Sequence, residues 1–207
     1  MTAIAETLSR PKIKMMIPDY LVYEVIDGQK LYFKDYEAVL LGEKTSEDIM
    51  GASTIQSVVI SYFLKLIFRH LDDTRYWFLT NETGLHINHK NNLSNDIAIY
   101  ERTVLKAQNI NNKYADVPAR LCVEVDIKAD LSKKKDFNYV QRKTQKLLNF
   151  GTERVIWIFT DTRQVMIADK NAAAFIEDWD REFELLDGVV FNIGEYLQSE
   201  GIIVTGF

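Results

Sequence analysis

Cysteine is almost absent from this 207-residue chain, and the single one, Cys122, lies in the apolar stretch LCVEV. That excludes a disulfide scaffold and marks Cys122 as a small buried filler rather than a reactive thiol. Prolines number three, at Pro11, Pro18 and Pro118, so no Pro-rich linker divides the chain. No apolar run approaches the roughly 20 residues that a membrane-spanning helix needs. The N-terminal MTAIAETLSRPKIK lacks the compact apolar core of a secretory signal, and a cytoplasmic protein with no membrane partner is expected. A basic excess is missing too. Twenty-five Lys and Arg stand against 30 Asp and Glu, a net charge of −5. This argues against coating nucleic acid by bulk electrostatics. It leaves open an enzyme in which a bound metal ion supplies the local positive charge. Internal repeats and low-complexity tracts are not found.

What is present is a well-patterned α/β sequence. Hydrophobic residues make up 47% of it, enough for a sizeable core. Residues 1–17 read as a flexible lead-in and 18–207 as one domain. Two apolar-rich runs flank Asp27-Gly28, a dipeptide that tolerates positive φ, and predict a β-hairpin over 20–34. Residues 35–52 are polar with short apolar pieces and suit either a helical turn or an inserted loop. Ser53 with Gln56 three residues on resembles a capping box. The spacing of Ile55, Val58, Val59, Tyr62, Phe63, Leu66 and Ile67 then predicts a helix to about Leu71, packed on a sheet. Short strands follow at 76–80, 85–88 and 96–100, a longer one at 119–128, an apolar central strand at 155–159 and its hairpin partner at 164–168. A helix over 136–150, ended by Gly151, separates the last two groups. A strand pair around Asp187-Gly188 and a terminal helical turn complete the chain.

Charged residues stand out at three places. Along 119–128 side chains alternate, so Leu121, Val123, Val125 and Ile127 share one face while Cys122, Glu124, Asp126 and Lys128 share the other. Carboxylates on such a strand need a partner or a metal if buried; an edge strand wetted on one face explains them as well. Asp96 opens DIAIY where the chain leaves the polar loop NHKNNLSN. Lys143 lies in the apolar stripe of its helix, between Val140 and Leu147, and is either a snorkelling side chain or a functional ammonium. Arg142 and Lys146 are expected to face solvent. With Lys133, Lys134 and Lys135 they form a basic cluster, either a solvated loop or a contact for phosphates. His86 and His89 fall in an Asn-rich loop without the ligand spacing of a zinc site.

The order of these elements resembles a known superfamily. Asp96, then Glu124 in VEV, then Lys143 eight residues before the Gly151 that precedes VIWIF, looks like the PD-(D/E)XK phosphodiesterases. More narrowly it resembles their Uma-two branch, regarded as restriction endonucleases of unknown target. YEVIDG, the capped helix after it and LCVEVDIKAD…QRKTQKLLNFGTERVIWIF carry the likeness over roughly residues 20–197. The resemblance implies a restriction-endonuclease-like fold, a mixed central sheet flanked by helices, here with an N-terminal β-hairpin. It implies Mg²⁺ or Mn²⁺ held by Asp96 and Glu124, with the Val125 carbonyl as a further oxygen ligand. The superfamily lysine two residues after the glutamate is replaced by Asp126, a third carboxylate that either raises metal affinity or over-charges the site. Lys143 takes the place of that lysine, orienting water and neutralising developing charge; Lys128 is a second candidate. Gln56 matches the polar position of the branch's first helix. Asn95 stands where a proline is usual, and Glu82 is either an auxiliary acid or a surface glutamate. The implied activity is metal-dependent hydrolysis of phosphodiester bonds in DNA, by a chain that pairs as a homodimer. The alternative is a nucleic-acid- or protein-binding module that keeps the fold without turnover, a reading that Asp126 favours.

Overall fold

The computed structural model describes residues 16–126 and 136–204; the lead-in before them, Lys128 and the lysine run 133–135 lie outside the described residues. The predicted hairpin forms from β1 (Val22–Ile26) and β2 (Gln29–Tyr32). Asp27 and Gly28 turn it, with φ of 53° and 73°. Both lie in the left-handed region required of a tight hairpin turn. The polar stretch after it folds into two short helices, α1 (Tyr36–Leu40) and α2 (Ser46–Met50).

Helix α3 (Thr54–His70) begins at Ser53, whose side chain accepts from the Gln56 N–H at 3.2 Å. Only this half of the capping box involves Gln56, because its side chain is used elsewhere. Val59, Phe63 and Ile67 form the buried stripe and pack on Ile97, Ile99, Leu121, Val123 and Ile156 of the sheet. The helix therefore covers one face of the sheet, as its periodicity predicts.

Strands β3 (Tyr76–Asn88) and β4 (Asn91–Glu101) make one long antiparallel hairpin. This corrects the expectation of two separate strands followed by a polar loop. Asn81 and Glu82, both at positive φ, form a bulge between Thr80 and Thr83, so the strand bends without ending. His89 and Lys90 of the Asn-rich segment turn the hairpin, residues 91–95 are the first half of β4, and Asp96 sits in mid-strand. Pairing on both edges holds these polar residues in extended form against their weak β preference.

β5 (Leu121–Val125) is buried throughout and runs parallel to β6 (Arg154–Phe159). Helix α4 (Asp136–Phe150) connects them. It ends at Gly151, whose φ of 131° suits glycine alone. β7 (Gln164–Asp169) and an edge strand not expected from the sequence, β8 (Phe175–Asp178), extend the sheet. The order is β2-β1-β4-β5-β6-β7-β8, with β3 on the other edge of β4. A hairpin of β9 (Phe183–Leu186) and β10 (Val189–Phe191) and helix α5 (Ile193–Ser199) join α3 on its face. On the opposite face Tyr139, Val140 and Leu147 of α4 pack over Tyr100, Cys122, Val155 and Trp157. The result is a mixed α+β fold with a large, mostly antiparallel sheet between helices. Cys122 is fully buried, and burial pushes its thiol up to about 12, as expected of a filler. Among the described residues no helix is long and apolar enough to cross a membrane.

Candidate active site

β5 is central, so the wetted-edge explanation of Glu124 does not hold: Glu124 is 2% exposed. Alternation places it on the α4 face beside Trp157, its register partner in β6. The same face receives Lys143, whose place in the apolar stripe of α4 aims it inward; it is 0% exposed.

Three oxygens surround the Lys143 ammonium. Glu24 Oε1 and the Ser94 carbonyl accept from Nζ at 2.7 Å each, and Glu124 Oε2 lies 2.9 Å away. The Trp157 and Tyr23 rings stand 5.5 and 6.0 Å from it. Burial disfavours the ammonium, but Glu124 and Glu24 outweigh this and hold Lys143 well above its ordinary value. Burial raises the Glu124 carboxyl; Asp96 and Glu24 raise it further and Lys143 opposes them. Glu124 Oε1 is buried with no hydrogen-bond partner among the described residues.

Glu24 is the residue that sequence reasoning missed. Its Oε1 also accepts from Ser94 N–H at 3.0 Å and Ser94 Oγ at 3.3 Å, and Oε2 accepts from the Tyr139 hydroxyl at 2.8 Å. A register shift between Val22 and Glu24 marks a bulge in β1. Such a bulge lets neighbouring side chains serve one side of a strand, and both Tyr23 and Glu24 approach Lys143. A signal was present: Glu24 shares parity with the buried Ile26, which puts a carboxylate on the inner side of the hairpin.

Asp96 and Gln56 meet at Val125. The Val125 N–H donates to Asp96 Oδ2 at 2.8 Å, and Gln56 Nε2 donates to the Val125 carbonyl at 2.7 Å. These backbone groups face β4, whose ladder with β5 is registered from Ile97↔Val123 to Ile99↔Leu121. β1 joins the same strand at Val25↔Asn92. Between those two pairings the sheet opens, and side chains instead of a neighbouring strand satisfy Ser94 and Val125. The structure thus brings together Asp96, Glu124, Gln56, Val125 and Lys143.

Asp126 lies close enough that, besides burial, the Asp96 charge raises its carboxyl, but its side chain is held by Thr160. At φ 60° it leaves the alternation of β5, and its carboxylate accepts from the Thr160 N–H and Oγ1 at 2.7 Å each. Burial raises it, with Thr160 opposing. The expected third carboxylate on the Glu124 face is therefore bound to the end of β6. Asn95 is 1% exposed, and both its side-chain polar atoms are buried without a partner among the described residues. Glu82 lies exposed in the β3 bulge. Arg142 and Lys146 are partly exposed, as expected, and both pair with Asp27, clipping the hairpin turn to α4.

The fold has a known counterpart. A crystal structure described as "a putative nuclease belonging to DUF820", from Anabaena variabilis ATCC 29413, superposes with a TM-score of 0.63 over 84% of this chain and 89% of its own, at 12% identity. That degree of likeness shows a shared fold. No protein-family model and no curated protein matches the chain.

A divalent ion is a question of fit. Among the described residues no three His, Cys, Asp or Glu side chains form a group able to hold a metal unaided. Mg²⁺ does not require one: it commonly takes one or two carboxylates and completes its shell with waters and substrate phosphates. Asp96 and Glu124 flank Val125 with hard oxygen donors, and Glu124 Oε1, buried with no partner among the described residues, is a cost that a cation would offset. The donor set fits a hard divalent ion.

Proposed function

We propose that this protein is a metal-dependent endonuclease that hydrolyses phosphodiester bonds in DNA. The observation that carries the reading is the meeting of Asp96 and Glu124 at Val125, with the Lys143 ammonium 2.9 Å from Glu124, at the opening of a nuclease-like sheet. Asp96, Glu124 and the Val125 carbonyl would hold Mg²⁺ or Mn²⁺. When bound, such an ion polarises a phosphate oxygen and lowers the pKa of a coordinated water. Gln56 fixes the Val125 carbonyl, and a carbonyl's second lone pair remains available beside that bond. Val125 N–H orients the Asp96 carboxylate. Lys143 places a permanent positive charge beside Glu124, where it offsets charge that develops on the phosphate in the transition state. To orient a water directly, it must release one of its three oxygen partners.

A second reading rests on that closure. The buried Lys143 already has Glu24, Glu124 and Ser94 around it. A site so satisfied also suits a nucleic-acid- or protein-binding module without turnover. A plasmid-nicking assay with Mg²⁺ and with Mn²⁺ separates the two. The nuclease reading expects nicking that Lys143→Ala abolishes. It also expects Mn²⁺ binding by calorimetry that Asp96→Ala and Glu124→Ala each eliminate. DNA retained in a shift assay without nicking supports the binding module. Homodimerisation is part of the proposal, and light scattering measures it.

A further inference from the structure

We propose that Glu24 is a positioning residue: it anchors Lys143 so that Glu124 is left to serve a divalent cation. The proposal rests on the metal-dependent reading above and concerns the division of labour between two buried glutamates.

Their surroundings differ. Both oxygens of Glu24 are engaged within the protein, Oε1 by Lys143 and Ser94 and Oε2 by the Tyr139 hydroxyl. Glu124 has Oε2 on Lys143 and, among the described residues, Oε1 without a hydrogen-bond partner. The saturated carboxylate is the anchor and the half-satisfied one is the ligand. A buried ammonium requires a counter-charge. With Glu24 present, Lys143 divides its charge between two carboxylates and takes up one oxygen of Glu124. Without it, Glu124 becomes the only carboxylate at the ammonium, and the ammonium competes with any cation for that group. The β1 bulge and the Tyr139 bond exist at the cost of a buried charge on the hairpin, which a purely apolar hairpin core would avoid.

The test is calorimetric titration of Mn²⁺ into wild type, Glu24→Gln, Lys143→Met and the double variant. Glutamine keeps the shape and removes the charge. Glu24→Gln is expected to weaken Mn²⁺ binding about tenfold, from the Coulombic competition of one ammonium at close range. Replacing Lys143 removes the competitor, so the double variant is expected to bind Mn²⁺ as Lys143→Met does. This comparison stands even if Glu24→Gln alone does not fold. If wild type binds Mn²⁺ and Glu24→Gln binds it equally well, the positioning role is wrong while the metal reading survives. If Glu24→Gln weakens binding in the Lys143→Met background as well, Glu24 acts on the cation itself and the proposal is overturned. If wild type binds no Mn²⁺, both the metal reading and this role fall together.

Discussion

Gln56, at the first turn of α3, reaches a residue 69 positions further along the chain: its amide donates to the Val125 carbonyl at 2.7 Å, at the end of β5. The bond ties the helix on one face of the sheet to the backbone between the two candidate metal carboxylates. Val125 C=O has no β4 partner at this point, so the glutamine stands in for a strand.

Gln56→Leu should therefore act through the backbone. It leaves a buried carbonyl unsatisfied, which costs about 1–3 kcal/mol. Urea denaturation measures the loss. A variant as stable as wild type would show that the bond contributes nothing.

Lys143→Met should be among the most damaging single changes. It leaves Glu24 and Glu124 facing each other inside the protein, and breaking a buried ion pair costs about 3–5 kcal/mol. The loss has a sign in pH. The Glu124 carboxyl is raised in the folded protein, and removing the ammonium that opposes burial raises it further. A raised carboxyl means that the folded state binds protons the unfolded state has released, so stability falls as pH rises from the ordinary glutamate range up through the folded value. The variant should thus be closer to wild type at pH 5 than at pH 8. Denaturation midpoints at the two pH values decide it, and an equal deficit at both would contradict the assignment.

Asp126→Ala separates the third carboxylate from the metal question. Its bonds run to Thr160, joining the end of β5 to the end of β6. Loss of those bonds should cost about 1–3 kcal/mol of stability. Mn²⁺ affinity by calorimetry should stay at the wild-type value. A large fall in affinity with intact folding would return Asp126 to the metal shell.

Much of this was legible in advance. Asp27-Gly28 announced the hairpin, because few dipeptides accept positive φ twice in succession. The stripe of α3 and the even spacing of Val123, Val125 and Glu124's own face followed from helix and strand periodicity. Lys143 could be placed inside because Val140 and Leu147 share its stripe. Other features were hidden. NHKNNLSN reads as a loop, since its polar residues carry no alternation of hydrophobicity; only His89 and Lys90 turn the chain, and strands on both edges hold residues 91–95 in β4. Asp126 keeps the strand's parity on paper and loses it in the molecule through one backbone rotation.

The sequence by itself determined the local elements and which side chains each one turns inward, because those depend on contacts a few residues apart. Tertiary structure alone decided what the inward charges meet. Lys143 and Glu24 are 119 positions apart, and no local period relates them. They pair because the ladder along β4 opens between β1 and β5, and the backbone groups of Ser94 and Val125 that no strand pairs there are satisfied by side chains the fold delivers.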